Sequence, residues 1–359
     1  MELNEGKGRR LTDYKLFWPI VALLLLLLFN FVFVKDFFSI EIRDGHLFGS
    51  LIDIINRAAP LLLLATGMTL VIATGGIDIS VGSVLAISGA IAASLIGGKM
   101  VFVNGHQEYV SLFPMWFAIL AALGIALLCG FWNGLLVGRL GIQAMVATLI
   151  LLTAGRGIAQ LITDGQIITV YYKPFFYIGG GYLCGLPFSI FIAAAIIGLV
   201  LLLVKKTAFG LFLESIGSNR IASRFSGLNV QKVTYICYLI SGLCAGIAGL
   251  IISSEVKAAD ANNAGLFIEM DAILAVVLGG NSMAGGRFTI IGSVIGALIV
   301  QTLTTTIYAI GVPSQVTMVV KAIAVIVICL IQSKGFIAGK IRNMSINKGG
   351  EAQVEKATV

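Results

Sequence analysis

Gly75-Gly76-Ile77-Asp78-Ile79-Ser80-Val81-Gly82-Ser83 joins two long apolar stretches, 51–73 and 79–97. Each approaches the roughly 20 residues that a helix needs to cross a hydrocarbon core about 30 Å thick. The pattern recurs outward in both directions, near 17–34, 115–138, 141–162, 188–204, 235–254, 264–280, 289–309 and 316–333. Backbone groups in lipid must bond to one another, and these stretches do not alternate as barrel strands do, so helices are expected. Mean hydropathy is +1.02, and charged residues make up 11% of the chain against roughly 25% in a soluble one, which excludes a soluble fold. The expected fold is an all-α polytopic membrane protein with about ten transmembrane helices. The stretch ending near Gly279 fits least well: Glu269 and Asp271 lie inside it and its connector is short, so full crossing and re-entry both stay open.

Charge sets the expected orientation. With both termini in the cytoplasm, the outer loops hold only Lys35, Arg43, Lys99, Lys173 and Lys257, and most of the 24 basic residues fall inside, as positive-inside topology requires. The net +7 is therefore a topology signal dispersed over loops, and a nucleic-acid partner is not expected. The chain divides into a cytoplasmic segment 1–16, a membrane domain 17–333 with a cytoplasmic loop at 205–234, and a polar tail 334–359 expected to be disordered. Lys7, Arg9 and Arg10 precede the first apolar stretch as in a signal peptide, but no small-x-small site follows, so an uncleaved first span is expected. The five cysteines show no metal spacing, and no metal site or catalytic residue is expected.

Small residues recur every four positions at Gly130/Gly134/Gly138, Gly242/Gly246 and Gly292/Gly296. They imply close helix packing, either within one subunit or between subunits. A faint internal echo pairs Gly75-Gly76…Gly82 with Gly279-Gly280…Gly286, two connectors expected on the cytoplasmic side. Ionisable groups in lipid are costly and usually face a cavity or each other. Arg57, Arg156, Glu269, Asp271 and Lys321 all map to the outer third of the membrane. They read either as neutralising pairs (Asp53 with Arg57, Lys321 with Glu269 or Asp271) or as a polar vestibule. Asn56, Gln143, Thr148, Asn262 and Asn263 are uncharged candidates for bonding hydroxyls along a pathway.

In the cytoplasmic loop, 219–226 fits a short amphipathic helix. Asn219 can cap it, Gly227 can end it, and Ala222 and Phe225 lie three apart on one face. It is either a docking element for a cytoplasmic partner or a solvated connector.

The chain resembles the permease subunits of bacterial ABC sugar importers of the ribose type. The resemblance rests on Gly67-Met68-Thr69-Leu70-Val71-Ile72-Ala73-Thr74 running into the Gly75–Ser83 stretch, on Ala147-Thr148-Leu149 with Arg156-Gly157, on Gly217-Ser218-Asn219, and on Asp271-Ala272-Ile273-Leu274-Ala275-Val276-Val277-Leu278-Gly279-Gly280. It covers about 50–333. Met270 stands where the family pattern leads one to expect Leu, a conservative departure. Asp44–Ser50, Asn56–Pro60 and Ala259–Leu266 are similar to the galactofuranose-importer branch.

The resemblance implies a pathway formed with a second permease chain, identical or related, in the bacterial inner membrane. It also implies an ABC ATPase below and a periplasmic sugar-binding protein above. It implies a coupling segment containing Glu214, Gly217, Asn219, Arg220, Ala222, Arg224, Phe225 and Gly227. The chain has no Gly-x4-Gly-Lys-Ser/Thr phosphate loop, so ATP and magnesium are expected on the partner ATPase, with no cofactor here and no enzyme activity of its own. The alternatives are a permease for ribose or another pentose or hexose, and an ion-coupled secondary transporter using Glu269 and Asp271.

Overall fold

The computed structural model describes residues 16–35, 37–43, 45–97, 99–103, 106–313 and 316–327. Most of segment 1–16 and the whole tail 334–359 lie outside the described residues. The helices, in chain order, are α1 (Phe17–Phe33), α2 (Ser50–Ala73), α3 (Val81–Ile96), α4 (Met115–Gly134), α5 (Ala144–Ile162), the single turn α6 (Tyr177–Gly180), α7 (Phe188–Lys206), α8 (Phe209–Ser218), α9 (Arg220–Phe225), α10 (Val230–Val256), α11 (Ile268–Leu278), α12 (Ile290–Ala309) and α13 (Val316–Val327). By length and composition, α2, α4 with the π-helical turn that continues it to Arg139, α5, α7, α10 and α12 can each cross a membrane. The helices α1, α3 and α13 are apolar but shorter.

Local chemistry explains the boundaries. Helix α2 stops because Gly75 takes φ +78°, and the Gly75 and Gly76 amides bond back to Ile72 and Val71 at 2.8 and 3.1 Å. Asn229 caps α10 by accepting from the Lys232 amide at 3.0 Å. The centre of the bundle is α2 and α10, with α3 and α12 against them. From Ala58 to Ala73, α2 is buried on every side.

The glycine repeats pack helices within the chain. A Cβ on Gly130 would stand 2.4 Å from the Tyr238 carbonyl, and one on Gly242 would stand 2.6 Å from that of Ala126, so α4 and α10 touch backbone to backbone. Gly296 brings α12 equally close to α11, where a Cβ would lie 1.9 Å from the Ala275 carbonyl.

Three expectations need correction. The stretch 264–280 carries a helix over Ile268–Leu278 alone, about 17 Å long and too short to cross by itself. Its first residues belong instead to a loop whose strand Ala258–Ala259 pairs with Ile168–Thr169. Second, the loop 205–234 is mostly helical. Helix α7 runs on to Lys206 and α10 begins at Val230, five residues earlier than 235. Between them α8 buries Leu213 and Ile216 against the bundle. Third, the Gly75–Ser83 run is no surface turn, because Asp78 is 2% exposed and Ser80 fully buried. The extended segment climbs from the end of α2 into the bundle before α3 starts.

Candidate translocation and coupling surfaces

Along α5 the predicted polar residues gather in two groups, one around Arg156 and one around Gln143. In the first, Arg156 donates from Nη1 to the Ala264 and Ala261 carbonyls at 2.6 and 3.2 Å, and from Nη2 to that of Gly265 at 3.4 Å. It therefore holds the loop before α11 by its backbone. Gln160 donates to Asn262 Oδ1 at 2.7 Å, and Asn263 donates to Asp260 Oδ2 at 2.7 Å. Asp260 Oδ1 accepts from the amides of Asn262 and Asn263 at 2.9 and 3.1 Å. The bond from the Asn263 side chain, with those amides, holds the Asp260 carboxyl below its ordinary range. The loop keeps this acceptor above that range and loses it only as acid carries the pH down through the lowered value.

Glu269 and Asp271 stand in α11 but serve different neighbours. Asp271 Oδ2 accepts from Lys321 Nζ at 2.6 Å, joining α11 to α13. Glu269 is 4% exposed, and its Oε2 lies where a Cβ on Gly82 would come within 2.3 Å, against the first turn of α3. That oxygen has no hydrogen-bond partner among the described residues. Glu269 thus meets the beginning of α3, and the loop 259–267 before it is the one that Arg156 holds. Asn56 accepts a short bond from Ser189 Oγ between α2 and α7. Arg57 is exposed, and it and Asp53 are the charges that act on Glu255 of α10.

Thr148 is not available to a solute. It is fully buried, accepts from the Ile79 amide at 3.2 Å and donates to the Ala144 carbonyl at 2.9 Å. Beside it, Asp78 Oδ1 accepts from the Ser80 hydroxyl at 2.6 Å, the Ser80 amide at 3.1 Å and Asn133 Nδ2 at 3.4 Å, and Oδ2 accepts from Ser241 Oγ at 2.8 Å. This node ties α4 and α10 to the start of α3. Sequence reasoning passed over Asn133 and Ser241; the signal available was a lone Asn in an apolar span.

Gln143 belongs to the second group, about 20 Å along α5 from Arg156 at 1.5 Å rise per residue. It lines a cavity of about 1210 Å³ with Thr74, Gly75, Arg139, Arg220 and Arg224. Asn219 caps α9 by accepting from the Ala222 amide at 2.9 Å, and Gly227 ends it at φ +83°. Ile221 and Phe225 are 70% and 88% exposed, and Arg220, Ala222 and Arg224 are also exposed. Glu214 and Gly217 lie on α8, half-buried.

Arg156→Met removes the donors from three loop carbonyls. Amide exchange over 259–267 should rise about tenfold, as expected for losing charged hydrogen bonds. Unchanged protection would show that the strand pairing alone holds the loop.

The family described as "Branched-chain amino acid transport system / permease component" matches residues 50–329. The galactofuranose transporter permease protein YtfT of Escherichia coli K12 is 48% identical, over 89% of this chain and 92% of its own length. The fructose import permease protein FruF of Bifidobacterium longum is 40% identical over 94% and 92%. The ribose import permease protein RbsC of Escherichia coli K12 is 34% identical over 88% and 92%.

Proposed function

Because the chain belongs to the permease-component family of branched-chain amino acid transport systems, we propose that it is the membrane subunit of an ATP-binding cassette importer for a monosaccharide, galactofuranose. The relatives named for sugars support the substrate class, and the 48% identity to the galactofuranose permease supports that sugar over fructose and ribose. The chain would lie in the bacterial inner membrane with both termini inside and ten membrane segments, α11 and its preceding loop together making one. The small number of basic residues in the outer loops supports this orientation.

One observation carries the ATP-driven part of the reading. Helix α9 presents Ile221 and Phe225 to solvent beside Arg220 and Arg224, while α8, joined to it through Asn219, is anchored in the bundle. An exposed apolar face on a capped, anchored helix suits a groove on a cytoplasmic ATPase. That partner would bind ATP and magnesium. A second permease chain would complete the pathway, and a periplasmic binding protein would deliver the sugar. Arg57, Asn262 and Asn263, exposed on the outer group, are the residues of this chain best placed to meet it.

The test is uptake of labelled galactofuranose into proteoliposomes holding this chain, its partner permease, the ATPase and the binding protein, each omitted in turn. Uptake should need all four and resist ribose, fructose and galactopyranose as competitors. Transport of a competitor instead would refute the sugar, and uptake driven by an ion gradient without ATPase would refute the importer.

A further inference from the structure

The cavity beside Gln143 is walled by three arginines and, among the described residues, by no carboxylate. Arg139 comes from the π-helical turn that continues α4, and Arg220 and Arg224 come from α9, so the charges converge from separate parts of the fold. Other cations of the chain are committed: Arg156 to three carbonyls and Lys321 to Asp271. The guanidinium groups of Arg139, Arg220 and Arg224 have no hydrogen bond and no ion pair among the described residues.

Positive-inside topology accounts for basic residues on this side but not for their arrangement. Lysine serves that rule as well as arginine does, yet Lys205, Lys206 and Lys232 are not in the wall. Three like charges around one cavity repel one another, and low-dielectric walls focus their field, so the space favours an anion. Guanidinium is always charged, and its fork matches the geometry of a phosphate. A neutral sugar would use none of this. Gln143 and Gln231 stand exposed in the same wall with uncommitted side-chain amides, suited to hydroxyls. At about 1210 Å³ the cavity is larger than the roughly 300–1,000 Å³ of ordinary small-molecule sites, so it has room for much more than a bare phosphate.

We infer that this cavity binds a phosphorylated hexose, and that its occupation slows uptake from the cytoplasmic side. Such a phosphomonoester carries a charge of about −1.5 to −2 at pH 7, which the three arginines would neutralise while the two glutamines bond the sugar. The slowing of uptake rests on the importer reading. Phosphorylation is the class of reaction that retains a neutral sugar once it is inside, and its product is an anion that the cavity suits. Ile221 and Phe225 form an exposed edge of the cavity, so an ATPase docked on them would cover its opening.

Two measurements on the complete complex test it, with galactose 6-phosphate as the probe. In nanodiscs of neutral phosphatidylcholine, the labelled probe should bind and should yield to excess unlabelled probe but not to galactose. Arg139→Gln, which lies outside α8 and α9, should weaken binding about tenfold, and Arg139→Lys should recover part of the loss. In proteoliposomes, probe confined to the ATPase side should slow uptake of labelled galactofuranose, and Arg139→Gln should lessen that inhibition relative to its own uninhibited rate. Binding that is absent, as it would be if an acidic surface of the ATPase filled the cavity, overturns the inference, and so does binding equally tight in Arg139→Gln. Inorganic phosphate that matches the probe would make the site one for the bare ion and overturn the sugar. Loss of probe binding when phosphatidylglycerol replaces part of the lipid would give the cavity to a headgroup, and uptake indifferent to the probe would remove the feedback; either overturns the inference. A complex that binds the probe but shows no ATP-dependent uptake would instead sink the importer reading and leave the site standing.

Discussion

Asp78→Ala should cost about 3 kcal/mol or more of stability, enough to remove most of the folded, monodisperse protein recovered in mild detergent. The carboxylate accepts from two hydroxyls, one amide and one side-chain amide, and all of these donors are buried. Orphaning a buried donor costs about 1–3 kcal/mol: the Ser80 amide loses its acceptor outright, whereas Asn133 keeps Ser80 Oγ at 2.8 Å and the two hydroxyls can turn. Asp78→Asn separates bonding from charge. Its Oδ1 still accepts from Ser80, and its amide can donate to Ser241, so the geometry survives while an uncompensated buried charge is removed. The asparagine variant should therefore retain more than half of the wild-type recovery. The measurement is fluorescence-detected size exclusion across a temperature ramp. Equal loss in both variants would mean that the negative charge itself, rather than its hydrogen bonds, holds the node.

The contrast shows what the sequence made legible. Apolar length alone pointed to a helical membrane fold, and six of the described helices are long and apolar enough to cross, because a membrane leaves the backbone few options. The cap and stop of α9 were equally readable, since Asn219 and Gly227 act within a few residues of themselves. What escaped notice depends on long-range contact. Nothing local distinguishes Ser241 from any other small residue in α10, yet it meets Asp78 across 163 residues of chain. Helix α8 was overlooked because its apolar positions, Phe209, Leu213 and Ile216, are interrupted by Gly210 and Gly217, which read as loop until close packing explains them. Gly210 fits under the Val204 carbonyl, and Gly217 fits against Ala73. The helical extent of the stretch 264–280 was misjudged for a related reason. Counting from the start of an apolar stretch assumes that the stretch is helix throughout, and here its first residues are a loop held by Arg156. Among the polar candidates, burial or committed bonds remove Thr148 from any role toward a solute, and residue type alone could not reveal this.

Lys321→Met should reduce folded yield, and the structure specifies which second change restores it. Sequence offered Lys321 two acids two residues apart, Glu269 and Asp271. On a helix such neighbours point to different sides, and Asp271 is the one that meets Lys321, at 2.6 Å. The pair is mostly shielded, at 17% and 30% exposure for the lysine and the aspartate, so removing the lysine should cost about 2–3 kcal/mol, less than for a fully buried pair. Lys321→Met combined with Asp271→Asn replaces an orphaned charge with two neutral groups and should recover at least half of the loss. Lys321→Met combined with Glu269→Gln should recover far less, because Glu269 packs on Gly82 and acts on Asp271 only as a nearby like charge, whereas the lysine bonds Asp271 itself. The two double-mutant cycles give unequal expectations from the same lysine, which makes the pair diagnostic. Thermal stability in detergent measured for the five variants and the wild type checks both at once. Coupling of Lys321 to Glu269 as strong as to Asp271, or additive losses in both cycles, would mean that α13 does not dock on α11 as described, and the outer charge cluster would have to be reassigned around Arg156.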